Sequence, residues 1–350
     1  MKALIFGLYF LLNFSIAASK GPKITFISPD PINTNNEFWI ITNKEIIKAA
    51  KDLNINLEVL YSRSHYSFYL EKVTEVIKRP PESRPDYLMI LPIKRSTQQI
   101  LQQLETAKIK TLFINAQINE KELQATGIPR DLYKNWIGHF YPDDTQAAAL
   151  AANEVYKACG KNAEIVAING SHTSNASLAR EKSYINVSKS LSLNLKQSFY
   201  GNWKKTSVSK MLPFIEMRYP NLCGFLVSSD LMAEAIVDQK KKSYKVCSID
   251  WTSNGLQHVI NGEQLCTVGG HFFEPAFALV TLFDYHMGID FKEDFGLIYK
   301  TPFYIANKKN AQKIYTKFIM NKNTINYRNY SKFYNKKLKK YNFVDIFKKL

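Results

Sequence analysis

The chain has 350 residues, of which 45% are apolar and 22% are charged, and this composition excludes wholesale disorder. Its length exceeds the roughly 250–300 residues at which a single hydrophobic core stops growing, so we expect about two domains. The net charge is +17, but residues 301–350 hold 13 Lys and Arg against one acid, Asp345. The excess charge therefore belongs to the C-terminal end and does not indicate nucleic-acid binding by the whole chain.

The first 19 residues have the pattern of a secretory signal peptide. Lys2 precedes a nearly uninterrupted apolar run over residues 3–16, and Ser15-Ile16-Ala17 supplies the small residues that a signal peptidase needs. An anchoring helix is the alternative, but Asn13 leaves the run short of the ~20 apolar residues that span a bilayer. We expect a signal peptide over residues 1–18, cleavage near residues 17–19, and an exported mature chain.

Short apolar runs alternate with helical patterns after this segment. The predicted strands are Lys23–Ser28, Asn56–Tyr61, Asp86–Leu91 and Thr111–Asn115, and the predicted helices lie near Glu37–Leu53, Tyr69–Lys78 and Thr97–Ala107. The runs lack a period of two, which is typical of parallel strands buried on both faces. This alternation indicates βαβ units in a doubly wound sheet.

The same alternation restarts in the second half of the chain. It comprises predicted strands at Glu164–Ile168, Gln197–Tyr200, Gly224–Ser228 and Lys245–Ile249, with helices over Asp143–Ala158, from Ser177, and near Ser207–Arg218. Two such halves predict an α/β protein of two doubly wound, Rossmann-like lobes. The natural ligand position in this architecture is the cleft at the carboxyl ends of the strands.

The sequence carries no signature of a metal, cofactor or catalytic site. The six histidines and four cysteines match no metal-ligand spacing, and GxGxxG, Walker and GxSxG motifs are absent. The acidic pair Asp143-Asp144 is expected to serve a helix N-terminus. Of the cysteines, Cys223, Cys247 and Cys266 are expected to be buried thiols, although a Cys247–Cys266 bridge stays possible in an oxidising compartment. We therefore expect that the chain binds no cofactor and no metal and that it is not an enzyme.

Polar and aromatic residues gather where the predicted strands end. They are Asn36, Phe38, Trp39, Asn115, Arg180, Trp203, Ser229, Asp250 and Trp251. Taken singly, each is more often a cap, a turn residue or part of the core. Their shared placement favours a site for a small polyhydroxylated ligand, because aromatic faces pack on C–H surfaces and polar groups bind hydroxyls.

Five segments resemble the sugar-binding group of type I periplasmic binding proteins. They are KITFISPDPINTNNEFWIITNKEIIKAAKDLNINLEVLY, WIGHFYPDDTQAAALAANEVY, NASLAREKSYI, YPNLCGFLVSSDLMAEAIVD and CSIDWTSNGLQHVINGEQLCTVGG, within residues 23–300. The resemblance implies lobes joined by hinge crossovers, with 19–142 and about 254–290 in the first lobe and 143–253 and about 291–350 in the second. It also implies ligand contacts at the strand-end residues, with Arg180 and Asp250 in the cleft.

Three positions depart from the group's usual pattern. Asn115 stands where Asp is common, Ser229 where Asn is common, and Gly270 where Gln is expected. His271, beside Gly270, is a candidate substitute for the Gln. Each changed polar contact alters hydroxyl recognition by about 1–3 kcal/mol, so a standard hexose or ribose is disfavoured as the ligand.

A narrower resemblance concerns the autoinducer-2 receptors, which pair with membrane sensor kinases. It rests on Asp250-Trp251 followed by GGHFFEPAFALVTLFDYHMGIDF (Gly269–Phe291), and on the tail INYRNYSKFYNKKLKKYNF (Ile325–Phe343). The tail is then a folded closing segment of the second lobe, with its lysines on the solvated face.

These observations predict a periplasmic solute-binding protein that closes on a small polar, sugar-like ligand and presents it to an ABC transporter. The alternative is a ligand-sensing co-receptor for a membrane sensor kinase. A transcription regulator is disfavoured, because a signal peptide stands where such proteins carry a helix-turn-helix. An envelope enzyme is a distant alternative. We expect no nucleic-acid partner and no membrane span after signal cleavage.

Overall fold

A computed structural model describes residues 21–63, 65–239, 243–321 and 325–348. The predicted signal peptide, residues 1–18, lies outside the described residues. No helix within the described ranges is both long enough and apolar enough to cross a bilayer.

Strands of the described residues form two six-stranded sheets. The first sheet has, in spatial order, β11 (Ile298–Thr301), β5 (Trp136–Pro142), β4 (Lys110–Phe113), β3 (Tyr87–Ile90), β1 (Lys23–Ser28) and β2 (Asn56–Tyr61). The second has β12 (Tyr304–Asn307), β10 (Cys266–Gly269), β9 (Lys245–Asp250), β8 (Gly224–Val227), β6 (Glu164–Asn169) and β7 (Asn194–Tyr200). All neighbours are parallel except β10 and β12.

Helices connect the strands of each sheet. Those of the first half are α1 (Glu37–Leu53), α2 (Tyr66–Lys78), α3 (Thr97–Thr106), α4 (Glu120–Thr126), α5 (Asp144–Cys159) and α6 (Asn175–Ser190). They are followed by α7 (Lys205–Arg218), α8 (Asp230–Val237), α9 (Ser253–Asn261), α10 (Glu274–His286), α11 (Lys292–Phe295) and α12 (Ala311–Ile314). The predicted fold class, two doubly wound α/β lobes, is confirmed.

The chain passes between the lobes at three crossovers, of which the second and third lie away from the expected boundaries. It crosses first between β5 and α5, and it returns after β10, close to residue 270, rather than near residue 254. The reason is that β9, α9 and β10 form one strand–helix–strand unit, which keeps both strands in the same sheet. The chain then contributes β11 to the first sheet and crosses a third time to β12.

The tail packs on the first lobe, which corrects its expected place in the second. The Tyr327 hydroxyl donates to Glu45 of α1 at 2.7 Å, and the Ser331 hydroxyl donates to Asp284 of α10 at 2.5 Å. Tyr327 and Phe343 explain the preference, because both rings pack on Phe277 of α10 in the core and so remove aromatic area from water. The lysines at 336, 337, 339 and 340 are exposed, as predicted.

All four cysteines form disulfide bonds, which corrects the prediction of buried thiols. Cys247 and Cys266 lie opposite each other on β9 and β10 and are joined, so the bridge left possible by the sequence is present. Cys159, at the end of α5, is joined to Cys223, just before β8. The second pairing has no local sequence signal, because the two residues meet only through the folded sheet.

Candidate functional site

A cavity of about 310 Å³ lies between the lobes, at the carboxyl ends of both sheets. Its volume falls within the roughly 300–1,000 Å³ of small-molecule pockets. The predicted contacts that line it are Asn36, Phe38, Trp39, Asn115, Arg180, Trp203, Ser229, Asp250 and His271. The fold thus brings together residues from separate strand ends, at the place where open α/β sheets bind ligands.

Trp251 does not line the cavity, although the sequence predicted that it would. Its side chain is fully buried, and its indole N–H donates to the carbonyl of Thr267 at 3.0 Å. The ring packs among Phe318 and Phe347 on the side away from the cavity. Asp250 has a φ of 139° and Trp251 has a φ of 61°, so the turn after β9 directs the two neighbouring side chains apart.

Several cavity residues have left-handed backbone conformations that non-glycine residues seldom adopt. Asn115 has a φ of 62° after β4, and Trp203 has a φ of 60° after β7. Such conformations cost about 1–3 kcal/mol each and persist only where the surrounding structure enforces them. Similar conformations occur at turns away from the cavity, such as Asn54 and Asn162, so they show only that the backbone at these strand ends is held in place.

The start of α1 supplies the aromatic part of the first-lobe wall. Asn36 occupies the N-cap position, and its backbone N–H donates to the Thr34 hydroxyl at 3.0 Å. Phe38 and Trp39 follow in the first turn, with ring centroids 5.1 Å apart in an edge-on arrangement. Both are mostly buried in the core beside α10, so their faces are fixed before any ligand arrives.

Asn115 is held by a carboxyl group that the sequence reasoning missed. The Asn115 backbone N–H donates to Oε1 of Glu274, the first residue of α10, at 2.8 Å. Burial raises the pKa of Glu274 to about 8. Oδ1 of Asn115 is buried and has no hydrogen-bond partner in the described part of the chain. This arrangement leaves a fixed acceptor available to a ligand hydroxyl.

Arg180 provides the strongest donor of the second-lobe wall. Its Nε donates to Oδ1 of Asp144 at 2.7 Å, and its Nη1 donates to the carbonyl of Ser228 at 2.7 Å. Burial disfavours the charged guanidinium, but the nearby Asp144 and Asp250 outweigh burial and raise the pKa of Arg180. Asp144 thus orients a cavity residue, although the sequence predicted only a role at a helix N-terminus. The adjacent Asp143 has that role, because it caps α5 by accepting a hydrogen bond from the Gln146 N–H.

Asp250 and His271 form a close, buried pair at the base of the cavity, with His271 Nε2 3.6 Å from Asp250 Oδ1. Burial raises the pKa of Asp250 well above its usual range, and Asp230 adds to this effect while Arg180 opposes it. Burial and the Arg180 guanidinium hold the pKa of His271 well below its usual range. The imidazole is therefore neutral, and it stacks on Phe38 with ring centroids 4.6 Å apart.

Gly270 explains one departure from the expected family pattern. It has a φ of 97°, and a Cβ there would lie 2.9 Å from the Phe347 ring. A glutamine at this position would have a strained backbone conformation and would collide with the Phe347 ring. Nδ1 of His271 is buried without a partner among the described residues, which leaves it available where the glutamine is missing.

Direct contacts join the lobes around the cavity. Lys182 of α6 and Glu120 of α4 form an exposed ion pair at 2.6 Å between the lobes. Lys94 of the first lobe donates to the carbonyl of His172 in the second at 3.1 Å. On the hinge side, Glu37 accepts a hydrogen bond from the Ser253 N–H at the start of α9, at 2.8 Å. The cavity is therefore partly enclosed by protein.

The wall also contains residues that sequence reasoning did not select. Asn175, at the start of α6, lines the cavity with a buried Nδ2 that has no partner in the described ranges. Its only sequence signal was the helix N-terminus after Ser174. His65 and Tyr66 line the outer part of the cavity from the start of α2. Aromatic faces, amides and partnered charges together suit a small ligand with many hydroxyl groups.

Comparisons with known proteins agree with this architecture. A family model described as a periplasmic binding protein domain matches residues 28–288. No curated protein matches the sequence significantly. Among solved structures, the chain is similar to a periplasmic sugar-binding protein from Pseudomonas fluorescens, with 21% identity and a TM-score of 0.81 over 92% of this chain and 98% of that one.

Two further structures are similar at lower identity. One is an ABC transporter periplasmic solute-binding protein from Actinobacillus succinogenes with bound D-allose, at 16% identity and a TM-score of 0.72 over 83% of this chain and 99% of that one. The other is a carbohydrate transporter solute-binding protein from Agrobacterium radiobacter in complex with D-arabinose, at 15% identity and a TM-score of 0.73 over 87% and 100%. At these identities the likeness shows the fold alone.

Proposed function

Because the chain belongs to the family of periplasmic binding protein domains, we propose that it binds a small, sugar-like solute in the cavity between its lobes. The ligand is held by Phe38, Trp39 and Asn115 from the first lobe and by Arg180 and Asp250 from the second. Contacts to both lobes at once favour the closed arrangement, since a ligand shifts a conformational equilibrium only by its differential affinity for the two states.

The observation that carries this proposal is the combination of stacking faces and unpartnered polar atoms in one cavity. Oδ1 of Asn115, Nδ2 of Asn175 and Nδ1 of His271 are all buried without a partner in the described residues. An unpartnered buried polar group costs about 1–3 kcal/mol, which a ligand hydroxyl in this cavity would recover. Phe38, Trp39 and Trp203 line the same space.

The proposed partner is the membrane component of an ABC transporter, which receives the ligand from the closed protein. Support comes from two of the similar structures, described as solute-binding proteins of an ABC transporter and of a carbohydrate transporter. The sensor-kinase partner and the narrower autoinducer-2 receptor resemblance stay predictions, with no observation in their favour.

A thermal-shift screen of the purified mature protein against neutral sugars tests the proposal. A true ligand at 100 times its dissociation constant should stabilise the protein by about 2.7 kcal/mol. The Arg180→Ala and Asp250→Ala variants should lose this stabilisation. Arg218→Ala, at an exposed position at the end of α7, is the matched control and should respond like the wild type. The site assignment fails if the cavity variants also respond like the wild type.

A further inference from the structure

Arg180 is a buried cation in the cavity wall, and its partner of opposite charge is buried as well. The Arg180 and Asp144 side chains are 5% and 2% exposed in the described structure, and they meet at 2.7 Å. Two bonds, to Asp144 and to the Ser228 carbonyl, use Nε and Nη1 of the guanidinium. A guanidinium has five N–H donors, so the arginine retains donors for a ligand while its charge is offset.

The other charged groups of the lining do not restore a net charge. Lys204 is exposed, and Asp30, which accepts from the Thr34 hydroxyl at 3.1 Å, has the opposite sign. His271 is neutral, and burial disfavours the charged form of Asp250. Burial also raises the pKa of Asp144, but the charge and the hydrogen bond of Arg180, 2.7 Å away, oppose this and favour the carboxylate. The cavity therefore offers many hydrogen bonds but almost no net charge.

Asp144 is not part of the cavity wall and acts through Arg180. It is the first residue of α5, immediately after the first crossover, and its Oδ2 is buried without a partner in the described ranges. A buried guanidinium without this carboxylate would be an uncompensated cation beside the ligand. Such a site attracts carboxylates and phosphates, for which arginine is the preferred bidentate donor.

We propose that Asp144 is a positioning residue that sets the charge class of the ligand: by offsetting Arg180, it selects uncharged sugars and polyols over sugar acids and sugar phosphates. This inference rests on the proposed function, and it names the chemical class that the cavity accepts.

The experiment compares the wild type with Asp144→Asn, which keeps the size and one acceptor oxygen but removes the charge. Neutral sugars, sodium D-glucuronate and inorganic sulfate are titrated at constant ionic strength, with calorimetry and thermal shift as readouts. Asp144→Asn should gain at least about tenfold in affinity for glucuronate, because a desolvated unit charge a few ångströms away contributes several kcal/mol at an effective dielectric constant of 20. Its affinity for neutral sugars should not rise.

Three control variants test whether the charge of Asp144 itself causes the change in anion affinity. Asp143→Asn removes the neighbouring carboxylate, which caps α5 and pairs with Lys300 at 3.0 Å, and it should show no gain for anions. The double variant Asp144→Asn/Arg180→Gln lacks both charges and should also show none. Asp144→Glu should restore the wild-type preference. If Asp144→Asn does not fold, its refolding yield is measured at increasing sulfate concentrations. A yield that does not change with sulfate overturns the inference.

The outcomes distinguish this inference from the proposed function. If the wild type binds a neutral sugar and Asp144→Asn gains nothing for glucuronate or sulfate, the inference is overturned and the function stands. If no neutral sugar binds but Asp144→Asn alone gains anion binding, the charge-setting role stands and the sugar-binding function fails. A wild type that binds glucuronate as tightly as Asp144→Asn overturns the inference.

Discussion

The two walls of the cleft are held in place by different forces. The first-lobe wall is built mainly from neutral groups, although Asp30 also lines it: Phe38 and Trp39 are fixed by packing, and Asn115 is fixed through its backbone. The second-lobe wall is fixed by charge, through the buried pair of Arg180 and Asp144. The first lobe therefore supplies the shape of the cavity and the stacking surfaces, while the second lobe supplies oriented hydrogen-bonding groups. Substitutions should therefore affect the two walls unequally.

The largest expected effect is on the charged wall. Asp144→Ala leaves Arg180 buried without a counter-charge, and the free energy of unfolding should fall by about 3–5 kcal/mol. Asn115→Ala on the neutral wall should cost only about 1–2 kcal/mol, because alanine tolerates the left-handed conformation less well. Urea denaturation at neutral pH measures both values. Equal losses would show that the two walls are not stabilised differently.

The next effect concerns covalent support, which only the second lobe has, because all four cysteines lie there. Replacing both Cys247 and Cys266 with Ser opens a short loop and should lower the free energy of unfolding by about 3 kcal/mol. The Cys159–Cys223 pair closes a longer loop, with a sequence separation of 64 against 19, so its removal should cost more.

Calorimetry of the oxidised and reduced protein measures these losses. Reductant should lower the unfolding temperature of the wild type and should not affect a variant in which all four cysteines are replaced. A wild type whose stability is unchanged by complete reduction would contradict the predicted contribution of both bonds.

The neutral wall has a pH dependence that comes from Glu274. Burial raises the pKa of Glu274 to about 8, above that of about 4.5 expected for the unfolded chain. Between these two pH values the folded protein keeps a proton that the unfolded chain has released. The free energy of unfolding should therefore fall as pH rises, by up to about 1.4 kcal/mol per pH unit, and level off above about pH 8.

Glu274→Gln should remove the part of this fall that comes from Glu274, because an amide cannot ionise. The part that comes from Asp250, whose pKa burial also raises, should remain. Denaturation curves at several pH values between about 5 and 8 give the slope for each protein. Glu293→Gln, at an exposed site on α11, is the matched control and should keep the wild-type slope. The assignment to Glu274 would be wrong if the Gln variant kept that slope as well.

The smallest expected effect concerns the exposed ion pair that joins the two lobes. Glu120 and Lys182 are both highly exposed, so Glu120→Gln should leave the free energy of unfolding unchanged within error. The closed population should decrease slightly at low salt and not at high salt, because screening weakens exposed ion pairs. Distances between spin labels on the two lobes report the change. Glu154→Gln, which breaks a pair within α5, should not alter them.

The fold and much of the cleft followed from the sequence because their signals are local. The predicted runs Lys23–Ser28 and Lys245–Ile249 are confirmed as parallel strands, the second extending to Asp250, and residues placed just after strands line the cavity. The family match over residues 28–288 confirms the resemblance to periplasmic binding proteins. Both the family model and the similar structures are described as binding proteins, in agreement with the prediction that the chain is not an enzyme.

What the sequence could not supply depends on contacts between distant segments. Trp251 has the same position after a strand as other cavity residues, but the backbone turn at Asp250 directs it into the core. Cys159 meets Cys223 only after β8 has joined its sheet. Glu274 and Asp144 act on Asn115 and Arg180 across 159 and 36 positions of sequence, and no spacing rule indicates such a pairing.

The tail has a consequence for how long a ligand stays bound. Asp284 accepts hydrogen bonds from the tail and so holds it on the first lobe. Phe347, which follows the tail, stacks on Tyr304 of β12 in the second lobe, with ring centroids 4.2 Å apart. This contact connects the lobes without a covalent bond, in addition to the three crossovers and the contacts around the cavity, and opening the cleft must break or displace it. We therefore expect the dissociation rate of the ligand to depend on an aromatic contact that never touches the ligand, so the last residues of the chain help to set the residence time.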